Sequence, residues 1–273
     1  MAYKKFLMDV VIIRLSLIFL LVFYHAFCIY TGSWEVPYDG FPDIPIYYWL
    51  GHFSHGFQLE AMVFISGLLF GHTISLHSER LNFQGCVVKK VKRILLPCLL
   101  CSSVYYWMFY DREAAWYSIL FKLMNGCGHL WFLPMIFWCF VCCYLLERFP
   151  FFSFHKVLII TILACIFSPG ALLPFGLGHL FSFFIYFYLG FALKRGLFSW
   201  KLLSEKKSIL FICIYLILIC LKKIIADYHT IYLTQKIVSV LLSRVVGIFA
   251  ALSMVISVYS LANIERLKVK LKS

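Results

Sequence analysis

The run FLMDVVIIRLSLIFLLVFYHAFCIY, residues 6–30, decides the fold. It is apolar almost throughout and long enough to cross about 30 Å of hydrocarbon at about 1.5 Å of helical rise per residue. Lys4 and Lys5 precede it, which gives it the look of a signal peptide. It is too long for one, no small-residue cleavage site follows, and it carries Arg14, so it reads as a retained helix.

Seven further apolar segments follow, at roughly 56–76, 94–110, 129–147, 157–173, 177–193, 208–221 and 237–262. The sequence thus predicts an all-α, polytopic transmembrane bundle of about eight helices, one membrane-embedded domain over residues 1–273. Composition agrees: the 273 residues are 63% hydrophobic and only 14% charged, with mean hydropathy +0.90. Soluble domains run near half apolar and a quarter charged. Lipid is the solvent this chain requires. No internal repeat is evident, and the loop 31–55 is the longest on the outer side.

A net charge of +13 would point to nucleic acid in a soluble protein. Here the basic residues sit in short loops and set orientation instead, so a nucleic-acid partner is set aside. Lys4 and Lys5, then Arg80, Lys89, Lys90, Lys92 and Arg93, then Arg148 and Lys156, then Lys194, Arg195, Lys201, Lys206 and Lys207, and finally Arg266, Lys268, Lys270 and Lys272 mark one side. The opposite loops hold Glu35, Asp39 and Asp43, and then Asp111 and Glu113 balanced by Arg112 and Lys122. Both termini are therefore expected in the cytoplasm. The loop with Lys222, Lys223 and Lys236 is the exception. The eleven cysteines, Cys98 with Cys101 and Cys139 with Cys142 among them, lie almost entirely inside apolar segments without His or acidic neighbours. They read as small apolar residues, and no metal is expected.

Ionisable side chains inside lipid cost several kcal/mol, so each needs a reason. Arg14 lies roughly 12 Å into the first segment, and His25 follows about 16 Å further along the axis. Eleven residues at about 100° each bring the second group back to within about 20° of the first, so both occupy one stripe. Two readings stand open: a working cation and imidazole on one face, or an arginine paired with a carboxylate and a histidine at the interface. Glu60 opens the second segment at its outer end; it is either a functional carboxylate or one that reaches the headgroups. Ser66 and Gly67 in FISG suit close helix packing. Arg244, deep in the last segment, needs a partner that the sequence does not name.

Histidines gather on the outer half, at His25, His52, His55, His129, His179 and His229, against His72, His77 and His155 inward. His129 stands in GHLWFLP, residues 128–134, where the fourth helix enters from outside. On the inner side Lys89, Lys90, Lys92 and Arg93 precede Pro97 in KKVKRILLP. Such a cluster either cradles phosphates or enforces topology and touches anionic lipid.

Taken together, Arg14 and His25, the FISG turn at 64–67, the KRILLP run at 92–97 and GHLWFLP resemble the acyltransferase 3 family of bacterial membrane O-acyltransferases. The resemblance is carried by residues 6–140, and beyond that by hydropathy alone. It implies transfer of an acyl group, usually acetyl, from cytoplasmic acyl-CoA to a hydroxyl of a cell-envelope saccharide, in the bacterial cytoplasmic membrane. On that reading His25 is the base, Arg14 orients the donor or the helix packing, Glu60 and His129 join the site, and Lys89, Lys90, Lys92 and Arg93 bind acetyl-CoA. The family commonly has ten membrane helices, so a short member, or one lacking a C-terminal hairpin, is expected. A glycan transporter or flippase, and a shortened inactive partner protein, are the competing readings.

Overall fold

The computed structural model describes residues 2–77, 82–110, 115–149, 151–198, 204–227 and 233–272. Arg80, Asp111, Arg112, Glu113, Lys201 and His229 lie outside the described residues, as do the side chains of Lys4, Lys5, His77, Arg266, Lys268, Lys270 and Lys272. The described chain is all-α. Only helices satisfy every backbone amide within one segment, which is what hydrocarbon demands.

Two compact units are present, Met1–Ile65 with Ser199–Ser273, and Ser66–Phe198. The first contains α1 (Ala2–Ala26), the leading half of α2 (Pro45–His77), α9 (Glu205–Asp227) and α10 (Leu233–Lys272). Along α1 the buried residues are Val10, Ile13, Leu17 and Tyr24, a stripe at helical spacing that the turn residue Cys28 continues. The other faces are as greasy as the buried one: Phe19 is 69% and Val22 64% exposed. That pattern has lipid for its outer solvent. α9 and α10 pack along each other, and α10 presents small buried residues, Ala250, Ala251, Ser253, Ser257 and Ser260. Ser253 and Ser257 donate back to carbonyls of their own helix, so the hydroxyls cost little there.

The second unit holds the trailing half of α2, then α3 (Phe83–Lys90), a five-residue π-turn (Val91–Leu95) and α4 (Leu96–Phe109). After them come α5 (Trp116–Asn125), α6 (Phe132–Arg148), α7 (Phe154–Ile166) and α8 (Leu177–Arg195). The π-turn has a local cause. Pro97 has no N–H and its ring crowds the carbonyl of Arg93, so the ladder slips a residue. The N–H of Leu96 accordingly donates to Val91, five residues back. At the core, Phe140 meets Phe70 and Phe187 edge-on at 5.1 and 4.9 Å. α2 reaches α8 at Gly67, where an added Cβ would run into the carbonyl of Phe187.

All eight apolar segments are helical, and five helices are long and apolar enough to cross a membrane among the described residues. Several boundaries differ from expectation, and short helices stand where loops were expected. α2 starts at Pro45, eleven residues before 56, so the outer loop is shorter than 31–55 and Glu60 sits at mid-helix. The fifth segment ends at Ile166 rather than 173, because Pro169 and Gly170 open a turn. Ser168 ties that turn down by donating to Gly178 and accepting from Ser182. The extra helix α5, assigned above to a loop, exposes Trp116, Tyr117 and Phe121, the composition of a helix lying in the interface.

The Gly67 contact yields a stability test. Gly67→Ala should lower the thermal midpoint in detergent by an amount matching about 1–3 kcal/mol of overpacking. Gly85→Ala, where a Cβ meets nothing, should change it by no more than the helix-propensity gain of about 1 kcal/mol. Equal midpoints for the two variants would contradict the packing described.

Candidate active site

In the first unit the site is built at the end of α1. The helix stops at Ala26 and tightens through turns in which Cys28 N–H reaches His25 and Tyr30 N–H reaches Phe27. Gly32, at φ +71, takes the left-handed conformation that lets the chain double back. Ser33 and Trp34 then donate their N–H groups to Cys28. The outcome is that Trp34 stacks on the His25 ring, centroids 5.8 Å apart and 18° from parallel. His25 Nδ1 lies 3.4 Å from Cys28 Sγ. The imidazole is thus half-buried and held on both sides.

Arg14 lies on the same side of α1 as His25, and it is exposed, beside the exposed Val11, Leu15 and Ile18. A guanidinium at that depth is stable only against polar surroundings. Its described neighbours on that flank are apolar, like the lipid-facing sides of α1.

α2 adds polar groups. Tyr24 packs on His55 at 4.3 Å, and its hydroxyl shares a 2.7 Å hydrogen bond with Ser33. From His52 to Glu60 the helix buries polar atoms without hydrogen-bond partners among the described residues: His52 Nε2, His55 Nδ1, both amide atoms of Gln58, and Glu60 Oε2. Gln58 is 0% exposed. Native interiors leave few such groups, and a run of them on one helix marks a functional site. α9 supplies the rest. Tyr215 donates to the carbonyl of Phe53, and at Gly56 an added Cβ would sit 2.5 Å from the Tyr215 hydroxyl. Lys222 lies along α10 at Gly247, while Lys223 pairs with Asp227 at 2.6 Å over the ring of Tyr48. Two of the three cations that break the charge rule are thus packed into this cluster.

The second unit holds the remaining predicted residues. His129 is exposed in a 3-10 turn, Gly128–Trp131, that leads into α6. Gly126 and Gly128 have φ +82 and +57, and Cys127 N–H donates to Ser102, anchoring the turn to α4. Lys89, Lys92 and Arg93 are exposed around the π-turn. Lys90 is half-buried with its ammonium 3.3 Å from the centre of the Phe140 ring. Burial pushes its ammonium down to about 8; Cys86 opposes the shift and Arg93 adds to it. The sequence did not single out Arg195 as a site residue. It pairs with Glu147 and donates to Ser75 at 3.3 Å, close to the same basic end. Exposed cations there suit phosphates, and the His25 to Glu60 cluster suits proton transfer from a hydroxyl.

His25, Arg14 and Glu60 thus share one unit, and His129 with the four basic residues the other. His52, His55, Gln58, Tyr215 and Lys222 were not predicted as site residues. The signals for them were faint: two outer histidines, and cations on the wrong side.

A family model for acyltransferase 3, described as an acyltransferase domain, matches residues 9–271. The match reaches well beyond residue 140, where the motifs stop. No curated protein and no solved structure matches the chain.

The orphaned Glu60 oxygen implies a stored cost. Glu60→Leu should raise unfolding stability by about 1–3 kcal/mol, since an apolar side chain leaves no acceptor unsatisfied. It should also depress activity, as expected where a site is kept at the expense of the fold. A variant less stable than the parent would refute the assignment of Glu60 as an unsatisfied group.

Proposed function

This chain belongs to the acyltransferase 3 family, and we propose that it transfers an acyl group, acetyl by preference, from cytoplasmic acyl-CoA to a hydroxyl of a cell-envelope saccharide. The membrane concerned is the bacterial cytoplasmic membrane. The observation that carries the reading is the half-buried His25, stacked on Trp34 and on the same helix side as Arg14.

Chemically, the acceptor hydroxyl needs a base and the thioester needs a held carbonyl. His25 takes the hydroxyl proton as the oxygen attacks the thioester carbon. The C–S bond breaks, the proton passes to the leaving thiolate, and an ester and free CoA result. Arg14 orients the donor. Lys89, Lys90, Lys92 and Arg93 hold its phosphates, for which an exposed basic rim is the fitting chemistry. Glu60, at mid-helix in a polar run, supports the imidazolium that forms, and His129 stands at the mouth of α6. We take the transfer to be direct; an acyl-enzyme route would fall to Cys28, whose Sγ lies 3.4 Å from His25 Nδ1.

Two measurements test this. His25→Ala and Arg14→Ala, each at normal protein level, should lower transfer of labelled acetyl from acetyl-CoA to envelope glycan by about 100-fold or more; unchanged labelling in both would defeat the assignment. Donor affinity should also fall several-fold as pH rises through about 8, where Lys90 loses its proton, whereas Lys90→Arg should hold affinity across that range. A flat profile in the parent protein would separate Lys90 from donor binding.

A further inference from the structure

Beside the His25 turn lies a cleft of about 510 Å³ that the reaction above does not use. Its size falls within the roughly 300–1,000 Å³ of small-molecule sites. The turn after α1 supplies Tyr30 and Gly32, the following loop Phe41 and Asp43, the first turns of α2 Tyr48 and Trp49, and α9 Lys223. Every ring is braced from behind. Tyr30 packs on Phe41 at 5.5 Å and on Tyr47 at 4.9 Å. Tyr48 stacks on His52 at 5.4 Å, and Trp49 on Phe53 at 5.1 Å. Rigid aromatic faces of this kind take flat, partly apolar ligands at little entropic cost.

The charge around the cleft narrows the ligand. Asp43 is exposed on its wall, with Glu35 and Asp39 on the same loop. The one cation, Lys223, is already neutralised by Asp227. This end therefore repels the phosphates of an acyl-CoA. A pyranose ring meets the chemistry: its C–H face lies on an aromatic ring, and its hydroxyls donate to a carboxylate. Position completes the argument, because Gly32 both lines the cleft and makes the bend that lays Trp34 on His25. The cleft thus shares its glycine bend with the turn that holds His25.

We propose that this cleft is the acceptor subsite and takes a neutral saccharide, with Asp43 and Tyr48 as its principal contacts. The proposal rests on the acyltransferase reading given above. It is tested by binding, without the donor, so that the two stand or fall apart. The full-length protein in lipid nanodiscs is titrated calorimetrically with the neutral and the anionic saccharide fractions extracted from the envelope of the producing cells. Neutral saccharide should bind, and Asp43→Asn and Tyr48→Ala should each weaken it at least tenfold while leaving acetyl-CoA binding unchanged. No binding of the neutral fraction, binding of the anionic fraction alone, or wild-type affinity in both variants overturns the proposal. Loss of acetyl-CoA binding in Asp43→Asn does so as well, because the defect is then not confined to the acceptor. Transfer of labelled acetyl in vesicles is measured separately: its absence in the wild type defeats the acyltransferase reading, whatever the titrations give.

Discussion

Hydrocarbon offers a backbone nothing to bond with, and the structure is organised by that refusal. Among the described residues, three stretches of irregular chain are tied down by specific bonds. The turn after α1 folds onto the carbonyl of Cys28. The turn between α7 and α8 is held by Ser168, Ser182 and the indole N–H of Trp138, which donates to Phe175. The turn before α6 is held by Ser102. Where helices approach most closely, glycine does the work, as at Gly56 and Gly67.

Against this background the polar run on α2 is costly by design. His52, His55, Gln58 and Glu60 crowd one stretch of helix that would fold more stably with leucines. Natural proteins break such rules at functional sites. The aromatic clamp on His25 has a related sense. Trp34 stacks on the imidazole and holds its plane, and in the reaction proposed above a base so held would have less reorganisation to do when a proton moves. The basic rim of the other unit follows a different logic: Lys89, Lys92 and Arg93 stay exposed, while Lys90 is half-buried against Phe140 and its ammonium is pushed down by that burial.

The helical fold was legible from hydropathy because a membrane segment must be long, apolar and continuous. Its boundaries were less so. PIYYWLGHFSHGF, residues 45–57, is rich in rings and histidines and so reads as loop, yet it forms the first turns of α2. The same misreading placed Glu60 at a helix end rather than at mid-helix. α5 escaped because an interfacial helix is short and mixed in character. Arg14 and His25 could be paired by counting residues alone, since helix geometry is rigid. Trp34, Tyr215 and Lys222 could not be joined to them, because their neighbours are set by a glycine turn and by helix packing, neither of which leaves a periodic signal. The resemblance drawn from residues 6–140 proved to extend across nearly the whole chain.

One proportion of the bundle has a mechanical meaning. α7 spans Phe154–Ile166, only about 20 Å of helix where the hydrocarbon is about 30 Å thick. Lipids bordering that helix must shorten or tilt to avoid exposing their tails to water. A bilayer that such a helix crosses would thin locally or leave the flanking turns to complete the span. The stiffness of the surrounding bilayer would then set part of the cost of seating this helix.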